Sequence, residues 1–281
     1  MAKIKVSELF YSLQGEARFC GAPSVFLRTF GCNFTCGGFG LPRGQLSEER
    51  EEVAKIHAIT PFKNYKDLPL VSTGCDSYAS WDTRFKDLSP VRDTADIAYD
   101  IVGLLPQQKW VDEHLVITGG EPLLGWQRAY PDLLDNPLMD KLKYLTFETN
   151  GTQSLSEDFR KFLYRWNSKE RLTFSVSAKL SASGEKWEDA IKPEIVEMYQ
   201  WFGHTYLKFV VDDIQDINEI KQAVATYRHG GFRGEIYLMP VGGVEFVYNQ
   251  HKKRVAEIAM ELGYRYSDRL QVPLFKNAWN T

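Results

Sequence analysis

The chain has 281 residues, 43% of them apolar, and its 34 basic and 37 acidic side chains leave a formal charge of −3. That length and apolar content can fill a sizeable core, in one large domain or two small ones. The near-neutral charge excludes a nucleic-acid binder held by bulk electrostatics, and no apolar run is long enough to span a membrane.

The N-terminus, Met1-Ala2-Lys3-Ile4-Lys5-Val6, lacks the apolar stretch of a signal peptide, so a cytoplasmic location is expected. Thiols stay reduced there, and clustered cysteines more often mean metal or catalysis than disulfides.

Six short β-like runs follow in order, over residues 24–30, 114–118, 144–148, 172–177, 206–211 and 235–240. Helical spacing fills the gaps between them. The segment 93–105 puts Ile97, Ala98, Ile101 and Val102 on one face. Phe159, Phe162, Leu163 and Trp166 form a second stripe, Ile217, Ile220, Val224 and Tyr227 a third, and Val255, Ile258, Ala259 and Leu262 a fourth. Asp216 is expected to cap the start of the third helix and Gly263 to stop the fourth. Such alternation implies an α/β fold of parallel strands with right-handed crossovers, either an open, incomplete barrel or a doubly wound sheet. In both, ligands gather at the carboxyl ends of the strands.

The polar signals fall on that rim. Cys32 and Cys36 follow the first run, and a distant Cys75 opens Cys75-Asp76-Ser77. Thr118-Gly119-Gly120-Glu121-Pro122 follows the second run and Glu148-Thr149-Asn150-Gly151 the third. Ser175, Ser177 and Lys179 end the fourth, and Met239-Pro240-Val241-Gly242-Gly243 ends the sixth. Three thiolates converging on one point suit an iron–sulfur cluster with one iron left open to a second ligand, whereas a closed structural zinc site uses four ligands. Cys20 is the only remaining thiol for such a site, but it precedes the first strand, at the end away from the rim; a free thiol at least partly buried is expected there. Residues 37–74, Gly-rich, then charged, then interrupted by Pro61 and Pro69, are expected to be an insertion with one short helix. The chain is therefore expected to be one domain, 1–281.

The cysteines together with Thr118-Gly119-Gly120-Glu121-Pro122 resemble the radical S-adenosylmethionine superfamily, whose usual motif is Cys-x3-Cys-x2-Cys; here the second gap is widened by 37–74. Phe10-Tyr11-Ser12-Leu13-Gln14-Gly15-Glu16, Phe26-Leu27-Arg28, Cys75-Asp76-Ser77 and Ser177-Ala178-Lys179 resemble, more narrowly, the 7-carboxy-7-deazaguanine synthase family. The resemblance implies an incomplete (β/α)6 barrel of the radical SAM type. It implies a lyase, placed in queuosine and other 7-deazapurine biosynthesis, that converts 6-carboxy-5,6,7,8-tetrahydropterin to 7-carboxy-7-deazaguanine with loss of ammonia.

By the same resemblance, Cys32, Cys36 and Cys75 hold a [4Fe–4S] cluster, and Gly119, Gly120, Glu121, Glu148, Ser177, Lys179, Pro240 and Val241 bind S-adenosyl-L-methionine. Leu13, Gln14, Gly15, Glu16, Arg28 and Thr118 face the pterin, and Ser77 stands where the family ligates Mg²⁺ through a Thr hydroxyl. No residue is assigned as an obligatory general base. A flavodoxin-like electron donor and a homodimer are implied, with no direct nucleic-acid partner. A planar Arg28 fork suits a substrate carboxylate, although Arg28 also reads as a structural ion pair. Four departures from the family stand out: the insertion, Gly74 in place of an aromatic, Met239 in place of Gln, and Phe275 in place of His. Two other functions remain open on the sequence: a glycyl-radical-enzyme activase and a metal-stabilised, non-catalytic binding protein.

Overall fold

A computed structural model describes residues 2–166, 168–212 and 216–281. Nine strands form one sheet: β1 (Lys3–Leu13), β2 (Pro23–Thr29), β3 (Val91–Asp93), β4 (His114–Gly119), β5 (Tyr144–Thr149), β6 (Leu172–Val176), β7 (His204–Val211), β8 (Ile236–Pro240) and β9 (Arg265–Tyr266). Their spatial order is β3-β1-β2-β4-β5-β6-β7-β8-β9. From β2 to β9 every neighbouring pair is parallel. The β1 strand runs antiparallel to both β2 and β3 and extends the sheet beyond its parallel part.

Strands β4, β6 and β8 are almost wholly buried, and their sequences show why. His114-Leu115-Val116-Ile117-Thr118 and Ile236-Tyr237-Leu238-Met239-Pro240 are continuous apolar or small-polar runs, as strands covered on both faces require. The helices between the strands are amphipathic. Helix Glu157–Arg165 buries Phe159, Phe162 and Leu163, and Ser156 Oγ accepts from Phe159 N at 3.3 Å at its start. Helix Glu245–Leu262 buries Tyr248, Val255, Ile258 and Ala259 and ends at Gly263, whose φ of +69° is the left-handed stop expected there. Asp216 opens its helix, Asp216–His229, and its Oδ2 accepts from Asp212 N at 3.1 Å. No described helix is long and apolar enough to cross a membrane.

The six strands expected from the sequence match β2 and β4 to β8. The outlying strands go beyond that expectation, and for β1 there is a physical reason: a register shift between Val6 and Glu8 breaks its inside-outside alternation. Residues 37–74 carry the α-helix Glu49–Ile59 and a short 3₁₀ turn, Tyr65–Asp67. Val53, Ala54, Tyr65, Leu68 and Val71 from this stretch form an apolar cluster with Tyr78, Ala79 and Phe85, separate from the main core. Trp279 seals it from the C-terminus: its ring meets Tyr65 edge-on, centroids 4.9 Å apart, and its Nε1 donates to Leu68 O at 2.7 Å.

Candidate active site

A cavity of about 250 Å³ opens at the carboxyl ends of the parallel strands. The loop after β2 brings Cys32 and Cys36 to its wall, and the chain leaving the 37–74 segment brings Cys75 and Ser77. Around the same space stand Thr118, Gly119 and Gly120 from β4, Glu148 from β5, Ser177 and Lys179 after β6, and Val241 after β8. Leu13, Gln14, Gly15 and Glu16 close one side from the end of β1, and Arg28 reaches in from β2.

Two expected residues are not brought to the wall. Pro240 ends β8 just behind it, leaving Met239 and Val241 as the lining. Glu121 is sealed beneath the floor, fully buried. Its carboxylate accepts from Leu123 N (3.0 Å), Thr149 Oγ1 (2.8 Å) and Asn150 N (2.6 Å), so it ties the β4 loop to the end of β5. Burial outweighs those three donors and pushes its pKa up to about 7.

The two glycines at the end of β4 are also required by the packing of the chain itself. A Cβ on Gly119 would meet Thr29 Oγ1 at 2.6 Å, and one on Gly120 would meet Gly31 O at 2.5 Å and Cys32 Cβ at 2.7 Å. What they admit is the β2 strand and the cysteine loop itself.

The three cysteines share one apolar pocket with Phe34, Phe39 and Ala190. Phe34 N donates to Cys32 Sγ at 3.4 Å, and Trp81 Nε1 to Cys75 Sγ at 3.4 Å. Burial pushes the Cys32 thiol up to about 12 and raises Cys36 and Cys75 as well. Among the described residues no three His, Cys, Asp or Glu side chains are arranged to hold a single metal ion. Three soft thiol donors around a common apolar space are the donor set an iron–sulfur cluster takes. Cys20 plays no part in that site. It is exposed, against the expectation of an at least partly buried thiol, and its Sγ contacts Gly15 O at 3.5 Å.

Much of the polar lining of the cavity is hydrogen-bonded or ion-paired within itself. Gln14 Nε2 donates to Glu148 Oε1 at 3.0 Å, and Glu16 N donates to Gln14 Oε1 at 3.0 Å. Glu16 is ion-paired to Lys208 and stands 3.5 Å from Arg269, while Gln271 Nε2 donates to its Oε1 at 3.0 Å. Burial opposes ionisation of Glu16, but these cations and donors outweigh it and hold its carboxyl below the ordinary range. Arg28 Nε donates to Glu8 Oε2 at 2.6 Å and its Nη1 to Ser77 Oγ at 3.1 Å. Lys179 Nζ donates to Ser177 Oγ at 3.0 Å.

Glu8, Lys208 and Arg269 are site residues that the sequence patterns do not single out. Lys208 sits mid-strand in an apolar run, Tyr206 to Val211, and that anomaly is the available signal. Arg269 Nη2 binds Asp76 Oδ2 at 2.5 Å, joining the C-terminal segment to the third cysteine loop. Phe275 does not line the cavity; Gln271 and Asn277, from the same segment, do.

No family model matches the chain. Among curated proteins it is 31% identical to a 7-carboxy-7-deazaguanine synthase of Halobacterium salinarum, over 99% of this chain and 93% of that protein. It is 26% identical to one of Pyrobaculum aerophilum, over 98% of this chain and 96% of that protein. The crystal structure of QueE from Escherichia coli superposes with a TM-score of 0.56 at 19% identity, covering 94% of this chain and 93% of that one, a likeness of fold. The identity and coverage reached with the first of these relatives mean that the chain belongs to the 7-carboxy-7-deazaguanine synthase family.

Proposed function

We propose that this protein converts 6-carboxy-5,6,7,8-tetrahydropterin to 7-carboxy-7-deazaguanine with loss of ammonia. The observation that carries the reading is the meeting, in one cavity, of three cysteines spread over residues 32–75 with Gln14, Glu16 and Arg28. Its frame is a single domain, an incomplete (β/α)6 barrel with 37–74 inserted in the cluster loop; the unbroken parallel order from β2 to β8 supports this.

Cys32, Cys36 and Cys75 would hold a [4Fe–4S] cluster, and Gly119, Gly120, Glu148, Ser177, Lys179 and Val241 would cradle S-adenosylmethionine beside it. Together those groups, when bound, supply the radical chemistry that abstracts hydrogen from the pterin ring. The chain's own work is binding, orientation and exclusion of water. Glu16, kept ionised by Lys208 and Arg269, accepts hydrogen bonds from the adjacent N–H groups along a pterin edge. Gln14, held by Glu148, offers its carbonyl and amide on the same side. Arg28 pairs with the substrate carboxylate through the part of its fork that Glu8 leaves free. Ser77 Oγ, beside Arg28, is the proposed hydroxyl ligand for Mg²⁺, an ion that draws its remaining oxygens from substrate and water. Glu121 acts from beneath, fixing the β4 and β5 ends, and Pro240 shapes the turn that presents Val241. A flavodoxin-like reductant and a homodimer rest on the family resemblance.

The test is anaerobic reconstitution with iron and sulfide, reduction, and addition of S-adenosylmethionine with the carboxytetrahydropterin. Formation of 7-carboxy-7-deazaguanine is expected. If 5′-deoxyadenosine accumulates at every magnesium concentration without that product, the substrate assignment is wrong. A colourless, zinc-loaded protein would point to the non-catalytic reading, and a radical transferred to a partner glycine to the activase.

A further inference from the structure

We infer that Glu185 is a positioning residue for the cluster loop, a carboxylate that holds Cys36 in ligating geometry without touching the metal itself. Cys36 has φ of +48°, a left-handed conformation that a residue bearing a Cβ adopts only when its surroundings hold it there. Its surroundings are specific. Glu185 Oε1 accepts from two successive backbone N–H groups, Thr35 N at 2.8 Å and Cys36 N at 2.7 Å, and from Thr35 Oγ1 at 3.3 Å. Consecutive N–H groups turned to one side form a concave anion site, and here an acidic side chain from 149 positions away fills it.

Glu185 is itself delivered on a braced turn. Ser181 N and Oγ donate to the Glu219 carboxylate at 2.7 and 2.6 Å, and Glu185 N donates to Ser183 Oγ at 3.2 Å. The chain just past Cys36 docks on that turn: Gly38 N donates to Ser183 O at 2.9 Å, and a Cβ on Gly38 would strike Gly184 N at 2.8 Å. On the other side, Asn150 Nδ2 donates to Asn33 Oδ1 at 2.9 Å and Asn33 Nδ2 to Thr152 Oγ1 at 3.0 Å. The loop between the first two cysteines is thus clamped from two sides, and Glu185 supplies the clamp at Cys36. Such outer contacts fix the orientation of a ligand and tune how tightly it holds its metal. The inference rests on the assignment of Cys36 as a cluster ligand.

The experiment compares wild type, Glu185→Gln, Glu185→Asp and Glu185→Ala after identical anaerobic reconstitution. It reads iron and sulfide per chain, the rate of iron loss to a chelator, the spectrum of the reduced cluster, and the melting of the cluster-free protein. Glu185→Ala is expected to retain less than about half of the wild-type iron and to lose it at least about five-fold faster, with the cluster-free protein still folded. Glu185→Gln, whose amide oxygen still accepts both N–H groups, is expected to load near wild type. Should Glu185→Ala fail to fold, Glu185→Asp decides: a side chain one methylene short gives faster iron loss if the clamp matters. Equal loading and equal iron loss in the folded alanine or aspartate variant overturns the inference. A wild type that binds no cluster overturns instead the ligand assignment on which it rests.

Discussion

Glu8 and Arg28 stand directly opposite each other in the antiparallel register of β1 and β2, and their side chains join at 2.6 Å. Glu8 is only 1% exposed at its side chain and Arg28 18%, so the pair lies almost out of solvent at the cavity wall. The two readings of Arg28 open from the sequence, ion pair and carboxylate binder, are therefore compatible, since Glu8 fixes Nε and the guanidinium still faces the cavity. Removing Glu8's charge leaves a buried cation unpaired. Glu8→Gln is expected to lower the unfolding free energy by about 3 kcal/mol, read by urea titration. Arg28→Lys, a point charge that cannot reproduce the fork, is expected to raise the KM for the pterin by about tenfold with a smaller effect on kcat. An unchanged KM would remove Arg28 from substrate binding.

Gly120 and Cys32 are packed so closely that a methyl group cannot come between them: a side-chain carbon at position 120 would lie 2.7 Å from Cys32 Cβ and 2.5 Å from Gly31 O. Both obstacles belong to the cysteine loop, and one is backbone. Gly120→Ala is expected to push the loop aside and cut the iron bound per chain by more than about half, while the protein stays folded at a cost of about 1–3 kcal/mol. Full cluster loading in this variant would show that the loop tolerates the shift.

Strands β2 and β4 to β8 are legible in the sequence because each is a mostly apolar run with turn residues after it, whereas the two-residue parallel β9 is not. The rim is legible because cysteines, Gly-Gly and single polar residues interrupt those runs where strands end. Lys208, Arg269 and Glu8 are not legible as site residues. Each looks ordinary or merely misplaced until its partner, Glu16, Asp76 or Arg28, arrives from elsewhere in the sequence. Glu121 illustrates the reverse case. Its position beside Gly-Gly points to the ligand, but only the fold reveals that its oxygens are already taken by Leu123, Thr149 and Asn150. The bulged β1 escapes for a related physical reason, since a one-residue register shift moves side chains to the opposite face.

Lys208 and Arg269 converge on Glu16, and the charge balance there sets the pH at which the proposed pterin-binding carboxyl ionises. Burial alone would raise Glu16, and the Lys208 ammonium is the largest influence in the other direction. Lys208→Met removes that ammonium and leaves Arg269 at 3.5 Å. The Glu16 pKa then climbs, so at lower pH the carboxyl becomes protonated and stops accepting from the substrate. On acidification the variant's KM is expected to rise by about tenfold, a loss of one charge-assisted hydrogen bond, and to do so at a higher pH than any such rise in wild type. Parallel pH profiles would rule out the coupling.

His114 carries the clearest pH signature of the fold. It begins β4, is 1% exposed, and its Nε2 meets Thr146 Oγ1 at 2.8 Å, while Nδ1 has no partner among the described residues. Burial, with a smaller push from Arg18, lowers its pKa to about 3. An unfolded chain binds the proton at about 6.5 and the native chain does not. Stability from this group is therefore complete above about 6.5 and is lost as pH falls toward about 3. Between about pH 7.5 and 5.5 that loss amounts to about 1.4 kcal/mol. Glu121 works against it over the same interval, because its raised pKa of about 7 lets the native state take up a proton before the unfolded state does. The wild-type slope is thus a sum of opposing contributions, and the isolating measurement is a difference. Cluster-free wild type and His114→Gln, each unfolded in urea at the two ends of that interval, are expected to differ in their pH dependence by about 1.4 kcal/mol, wild type being the more acid-sensitive. Identical dependence in the two proteins would mean that the imidazole is protonated in the native state, and that β4 accommodates a charge among Phe19, Tyr144 and Thr146.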